Sequence, residues 1–409
     1  MTERALTGIG VMSGTSADGI DAAAVRVTGS RGRLAAELLW AHSVEFSKEL
    51  RRRVLAASAP GSSSVDLICS LGYELGHLFA EVVAELLSGS RMADGEIEFV
   101  ALHGQTVYHL GDPRLAPPGL MRSTLQLGAP AIVARKSGLT VVSDFRAADI
   151  AEGGQGAPLT SFADLHLFEV ADSGSLIVNV GGIANLTAVP PAASGLEPIA
   201  FDTGPGNMLM DAVAVRATRG EMSYDRDGEL AGSGRAQPAL LERLMGAPYF
   251  RLSPPRTAGR EQFGGQFLED VLAWPEASGC DFADLAATFA EFTARSIAGS
   301  AHRFVAPEFK IERVVVGGGG ARNPYLMERL AGAFEGVPVL SHEDFGIPSR
   351  YKEAMAFAML GAATLAGIPS NVPSCTGARR AVVLGSITPG EGFAALVEKG
   401  RMLSEAWRN

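Results

Sequence analysis

Apolar residues in this chain come in short runs that break at polar, glycine-bearing turns. Residues 6–12 and 22–27 are two such runs. Between them lies Ser13-Gly14-Thr15-Ser16-Ala17-Asp18-Gly19-Ile20-Asp21, and an Asp-Gly step in that setting predicts a β-hairpin. Residues 38–46 make a third candidate strand. The period then changes: Leu67, Ile68, Leu71, Leu75, Leu78, Phe79, Val82 and Val83 recur at helical spacing and predict a helix over 65–87. Short strands are expected at 99–102, ending at His103-Gly104-Gln105-Thr106, and at 139–142, ending at Ser143-Asp144-Phe145-Arg146.

A similar order then begins again. Residues 175–180 are a strand run, Gly181-Gly182 a turn, and 186–189 a second strand. Residues 199–200 lead into Phe201-Asp202-Thr203-Gly204-Pro205-Gly206-Asn207, followed by a helix over 208–217. A long helix is expected at 282–304, with Leu285, Phe289, Phe292, Ile297 and Ala301 on one side. A strand at 313–316 runs into Gly317-Gly318-Gly319-Gly320, and a helix follows at 323–334. Residues 354–368 are the most apolar uncharged stretch. They are too short for a membrane span, which needs about 20 residues, and predict a buried helix that stops before Pro369.

The repeated order of elements implies an α/β protein of two similar lobes, with the boundary between residues 146 and 175. The expected division is 1–150 for the first lobe and 151–380 for the second. Residues 381–409, with a strand at 382–390, would return to the first.

Composition narrows the function. Of 409 residues, 47% are apolar and 20% charged, as in an ordered globular protein. A net charge of −10 gives no general attraction to nucleic acid or to an anionic membrane, so neither is an expected partner. Any bound anion must be held by local geometry. The 49 glycines gather in short clusters, which points to tight turns. Cys69, Cys280 and Cys375 offer neither a disulfide framework nor metal-ligand spacing. The first seven residues, with Glu3 and Arg4, lack a leader's long apolar region, so the expected location is the cytoplasm.

The turns suggest the chemistry. Backbone N–H groups with Ser13, Thr15 and Ser16 hydroxyls beside them can cradle phosphate oxygens, and Gly14 and Gly19 would leave room for the anion. Asp18 and Asp21 would repel phosphate but could hold Mg²⁺ or its waters. A second such turn at Gly181-Gly182 suggests a nucleoside triphosphate held between two hairpins. Gly317, Gly318 and Gly319 would let a base or ribose lie against the backbone, unless they merely allow a close strand–helix crossing. Neither a P-loop nor a dinucleotide fingerprint is present.

Asp202, on a strand end beside glycines, is a candidate general base; the alternative is a cap for the helix that follows. Asp211, Asp225 and Asp227 fit capping or surface roles better. Glu353 heads the apolar helix and either complements its dipole or points into a site. His103 suits substrate contact and a structural role equally, and His103 with His109 makes no zinc set. Ser161 has no nucleophile-elbow setting.

Taken together, several segments resemble the anhydro-N-acetylmuramic acid kinase family. These are residues 11–21, His103-Gly104-Gln105-Thr106, Ser143-Asp144-Phe145-Arg146, Gly153-Gly154-Gln155-Gly156-Ala157-Pro158-Leu159, and residues 179–185, 201–207, 317–319 and 353–358. They follow the family's order from residue 9 to about 390. The chain departs from the pattern at Ala147-Ala148 and at Thr160-Ser161.

The resemblance implies a two-lobed actin-like (ribonuclease H-like) ATPase fold with a central nucleotide cleft. It implies an ATP- and Mg²⁺-dependent enzyme that opens the 1,6-anhydro ring of anhydro-N-acetylmuramic acid with water and phosphorylates O6. The products would be N-acetylmuramic acid 6-phosphate and ADP, in bacterial cell-wall recycling. Carried over residue by residue, Asp202 is the base. Gly14, Thr15, Ser16, Ala17, Asp18, Gly19, Ile20, Asp21, Gly181, Gly182, Gly317, Gly318 and Gly319 face ATP, with Asp18 toward the metal. Asp144, Arg146 and Glu353 face the sugar. The resemblance also allows a homodimer, for which no stretch of sequence marks an interface. Two other readings stay open on the residues alone. One is an ordinary amino-sugar or hexose kinase of the same fold, and the other a nucleotide-binding sensor ATPase.

Overall fold

The computed structural model describes residues 5–89, 96–112 and 117–409. Glu3 and Arg4 lie outside them. The chain forms two compact units: residues 1–167 with 351–409, and residues 168–350.

In the first unit, β1 (Ala5–Ser13), β2 (Gly19–Ser30) and β3 (Arg33–Glu45) form an antiparallel meander. β4 (Phe99–Leu110) runs parallel to β1, and β6 (Thr140–Ser143) parallel to β4. β5 (Ser123–Leu127) pairs antiparallel with β4. β12 (Ser386–Thr388) adds an antiparallel edge to β6. In the second unit, β7 (Gly174–Val180), β8 (Ile183–Val189) and β9 (Ile199–Pro205) repeat the meander. β10 (Ile311–Gly317) runs parallel to β7, and β11 (Val339–Ser341) parallel to β10. Numbered by appearance within each unit, and leaving aside the accessory β5 and β12, both sheets therefore have the order 3-2-1-4-5. That is the ribonuclease H-like arrangement expected of an actin-like protein.

Burial explains the elements. Helix Val65–Gly89 buries Leu71, Leu75, Phe79, Val82, Val83 and Leu86 and keeps Glu74, Glu81 and Glu85 on its exposed face. By length and composition it could cross a membrane, but here its apolar face belongs to the first unit's core. Burying each such side chain stabilises the fold by roughly 1.5–3 kcal/mol. In the second unit, helix Phe282–Phe304 buries Leu285, Phe289, Phe292, Ile297 and Ala301. The Asp281 carboxylate caps it by accepting the Asp284 N–H at 2.8 Å.

Several boundaries differ from those expected. β4 continues through His103-Gly104-Gln105-Thr106 because β5 supplies a partner for its far end. At 382–390 only Ser386–Thr388 is strand. The chain changes unit after residue 167 and returns at 351, not at 150 and 380. The return is early because helix Lys352–Leu365 packs on β1. A Cβ at Gly10 would stand 1.8 Å from the Ala354 carbonyl oxygen, and one at Gly361 2.7 Å from the Ala101 Cβ. Small residues on both elements bring the two backbones together, a contact no local pattern announces. The buried ion pair of Lys352 with Asp164 joins the two crossing segments to each other.

Candidate active site

The β1–β2 turn is held by residues around it. The Ser13 hydroxyl lies 2.7 Å from the Gly19 carbonyl and 2.7 Å from Gln105 Oε1. Gln105 Nε2 donates to the carbonyls of Gly14 and Thr106, each at 3.1 Å. The Ala17 N–H donates to the Gly14 carbonyl at 3.1 Å, with Ala17 at φ 51°, and the Phe46 N–H to the Asp18 carbonyl at 2.9 Å. Carbonyls that would repel an anion are thus engaged inside the protein, while Thr15 and Asp18 are exposed and Ser16 partly so. The two glycines differ. A Cβ at Gly19 would stand 2.4 Å from the Val44 carbonyl oxygen, so a glycine is needed here for the β2–β3 pairing. At Gly14 the nearest atom is Ser16 Oγ at 3.6 Å, which leaves room.

Among the described residues no three His, Cys, Asp or Glu side chains cluster as metal ligands. The Asp21 carboxylate accepts from the Ser43 hydroxyl, which lies 3.2 Å from Tyr351 Oη. One exposed carboxylate, Asp18, suits a Mg²⁺ held mostly by phosphate oxygens and water, not an all-protein cage.

Arg146 and Glu353 are near each other in the same unit. Arg146 Nε and Nη2 lie 3.3 and 2.8 Å from His103 Nε2, and Nη1 donates to the Gly156 carbonyl at 2.6 Å. Burial pushes the His103 imidazole down to about 3, with the Arg146 charge adding to the effect. Burial also raises the Glu353 carboxyl; the charges of Lys352 and Arg146 oppose the shift, and those of Asp21 and Asp164 reinforce it. Asp144 stands apart, exposed and at φ 54°, with no hydrogen bond to its carboxylate among the described residues. The Gly153–Gly156 segment is shaped by Asp149, whose buried carboxylate accepts from the Gly156 N–H (2.8 Å), Asn371 Nδ2 (2.8 Å) and the Thr376 hydroxyl (2.7 Å). Ser161 is buried and donates to the Pro158 carbonyl, a structural bond.

In the second unit Asp202 lies in one row across the sheet: Gly317 pairs with Asn179, Asn179 with Asn185, and Asn185 with Asp202. A register shift follows at once, because Thr203 is an extra residue between Asp202 and Gly204. Asp202 does not cap the next helix; Asn207 holds that position. Instead the 249–258 segment grips it. Its carbonyl accepts from Tyr249 Oη (2.7 Å) and Arg256 Nε (3.0 Å), its N–H donates to the Arg256 carbonyl (3.1 Å), and its Oδ2 accepts from the Ala258 N–H (2.7 Å). Arg256 is fixed in turn by the Ser300 hydroxyl at 2.6 Å and by the rings of Tyr249, Phe201 and Phe304.

The Gly181-Gly182 turn meets the same strand end. The Gly206 N–H donates to the Gly182 carbonyl and the Asn207 N–H to the Gly181 carbonyl, both at 2.8 Å. The 317–320 cluster is mostly spent on packing. A Cβ would meet the His342 ring at 1.9 Å from Gly317, Asn179 Oδ1 at 2.6 Å from Gly318, and the Val180 side chain at 2.5 Å from Gly320. Only Gly319 is less crowded, with Asn207 Nδ2 at 3.2 Å. Gly317 and Gly318 thus lie against His342 and β7, and only Gly320 also nears the following helix, with Leu326 Cδ2 at 3.1 Å. The next helix, Pro324–Ala333, is capped by Asn323, which accepts the Leu326 N–H, so that donor is not available to a phosphate. Asp225 is a capping residue that accepts the N–H groups of Leu230 and Ala231. Asp227, at φ 53°, is exposed.

The family model for anhydro-N-acetylmuramic acid kinases matches residues 7–390. The chain belongs to that family. A curated relative from Caldanaerobacter subterraneus subsp. tengcongensis, named anhydro-N-acetylmuramic acid kinase, is 39% identical over 93% of this chain and 96% of its own length. One of the same name from Bacillus cereus (strain AH820) is 40% identical over 93% of this chain and 98% of its own. Likeness to solved structures is looser. The activator of the 2-hydroxyisocaproyl-CoA dehydratase from Clostridium difficile, with bound ADPNP, gives a TM-score of 0.42 at 11% identity, covering 87% of this chain and 93% of that one. A ROK family glucokinase from Streptomyces griseus, in complex with glucose and AMPPNP, gives 0.37 at 14%, covering 87% and 98%.

Membership makes the chain a kinase, a phosphotransferase. The structure supplies partners that sequence reasoning did not. Gln105 and His103 lay within a quoted motif but had no assigned partner. Tyr249, Arg256 and Lys352 had no signal, because each acts through a residue distant in sequence.

Proposed function

We propose that this kinase uses ATP and water to convert anhydro-N-acetylmuramic acid into N-acetylmuramic acid 6-phosphate and ADP, a step of cell-wall recycling. The observation that carries the reading is Asp202, a carboxylate beside the bulge within β9 whose backbone is held by Tyr249 and Arg256. A rigid acceptor of this kind suits a general base. Water attacks the anomeric carbon and gives its proton to Asp202. The bond from that carbon to O6 breaks, and O6 bonds to the γ-phosphorus as ADP leaves. One base thus serves both ring opening and transfer.

The Gly14–Asp21 and Gly181-Gly182 turns take the phosphates, and Gly319 with its neighbours Gly317 and Gly318 takes the adenosine side. Asp18 is the protein's contribution to holding Mg²⁺, which when bound neutralises charge on the phosphate oxygens. Arg146 and Glu353 serve the sugar. Asp144, an exposed carboxylate two residues before Arg146, is assigned to the sugar with them.

The test is incubation with ATP, Mg²⁺ and the anhydro sugar in ¹⁸O-labelled water, followed early by mass spectrometry. The expected product has gained one phosphoryl group and one labelled water, and Asp202→Asn does not form it. A phosphorylated product without added water would instead mean an ordinary sugar kinase. ATP hydrolysis indifferent to sugar would mean a nucleotide sensor.

A further inference from the structure

His103 and Arg146 form a unit whose chemistry is unusual for a partly buried cation. His103 Nδ1 lies 2.8 Å from the Gly104 carbonyl, which can only accept, so Nδ1 carries the proton. Nε2 is left with its lone pair, and Arg146 Nε and Nη2 both point to it. The ring is packed against Phe357 of the helix Lys352–Leu365, with centroids 4.6 Å apart. The third anchor, at Nη1, is the Gly156 carbonyl.

All of these acceptors are neutral. Among the described residues no carboxylate forms an ion pair with Arg146. Glu353 and Asp149 act on it only as nearby charges, and Asp149 is committed to Gly156, Asn371 and Thr376. A guanidinium has five N–H donors, and three are used here. One N–H remains on each Nη, and guanidinium N–H groups form charge-assisted bonds to carboxylates. An oriented cation that makes no ion pair is costly to bury, and it suits an anionic ligand.

We propose that Arg146 is the docking point for the carboxylate of the sugar acid, and that neutral His103 is the positioning residue that aims it. This rests on the substrate reading given above and deepens it. It predicts selection for the acid over an uncharged analogue, a distinction that chemistry at the anhydro ring does not require.

The test compares anhydro-N-acetylmuramic acid with its carboxamide, for the wild type, His103→Phe and His103→Gln. Phenylalanine keeps the packing on Phe357 but removes the acceptor; glutamine restores one. For His103→Phe, KM for the acid should rise about 10- to 100-fold with kcat within about 3-fold, the range for losing an aligned charge-assisted hydrogen bond. KM for the carboxamide should stay within about 3-fold, and His103→Gln should recover most of the loss for the acid. Thermal melts of the variants report whether they are folded. KM values for acid and amide that rise together, or that do not move, would overturn the proposal, since a residue that only braces the Gly153–Gly156 segment affects both alike. Wild type that turns over acid and amide equally well removes the carboxylate assignment alone. Wild type that turns over neither removes the substrate reading, and this proposal with it.

Discussion

The two units have the same strand order but differ at their hairpin turns and in the acids nearby. In the first, the hairpin turn is a polar loop between Ser13 and Gly19, braced from β4 by Gln105. In the second, it is two glycines whose carbonyls are bound by the Gly206 and Asn207 N–H groups. The first unit's acid near the turn, Asp21, is on the second strand and bonded to Ser43. The second unit's, Asp202, is on the third strand beside an extra residue, with its main chain held from outside the sheet. A shared topology thus supplies equivalent strand ends, and the segments packed around them decide which end carries a rigid carboxylate.

The sharpest test of that contrast is Asp202→Asn against Asp21→Asn. Asparagine at 202 keeps an acceptor for the Ala258 N–H, so the fold should survive while kcat falls by about 10³-fold or more. At 21 the loss should be at least tenfold smaller; equal losses would erase the distinction.

Next in size is Lys352→Met. The first unit is built from two chain segments, and the Lys352–Asp164 pair joins them. Removing one member leaves a buried charge, at a cost of about 3–5 kcal/mol. Hydrogen exchange should quicken throughout the first unit, and protection there unchanged from wild type would refute the assignment.

The glycines give a smaller, paired test. At Gly206 a Cβ would stand 2.1 Å from the Gly181 carbonyl oxygen, so Gly206→Ala should cost about 1–3 kcal/mol in a denaturant melt. Gly14→Ala has space and should cost less than about 0.5 kcal/mol, even if nucleotide binding weakens. The reverse order would contradict the packing.

The last contrast is one of pH response. Burial pushes His103 down to about 3 and His166 to about 4, both in the first unit. Their unfolded forms protonate first as pH falls through about 6.5, so stability drops toward pH 4, by roughly 2 kcal/mol per histidine at pH 5. In the second unit Asp211 is pushed up to about 7 by burial and by Asp225. It acts in the opposite sense: its contribution is full below about pH 4 and is lost as pH rises through 7. Asp211→Asn should therefore raise the melting temperature at pH 8 and not at pH 4. A gain equal at both would show that its charge is not the cause.

Much of this could be read from the chain alone, where the cause is local. Alternation and turn residues mark both hairpins, helical spacing marks helices over 65–87 and 282–304, and the ordered motifs mark the family. Other features depend on atoms far apart in sequence. The return to the first unit at 351 depends on Gly10 and Gly361 admitting a helix backbone, and the grip on Asp202 depends on Arg256 and Tyr249, about fifty residues away. The role of each glycine depends on what its missing Cβ would meet: the Val44 carbonyl at Gly19, the His342 ring at Gly317, and only the Ser16 hydroxyl, at an ordinary 3.6 Å, at Gly14. Periodicity and motifs report a residue's neighbours along the chain. Close packing and hydrogen-bond satisfaction involve its neighbours in space, and those exist only once the chain has folded.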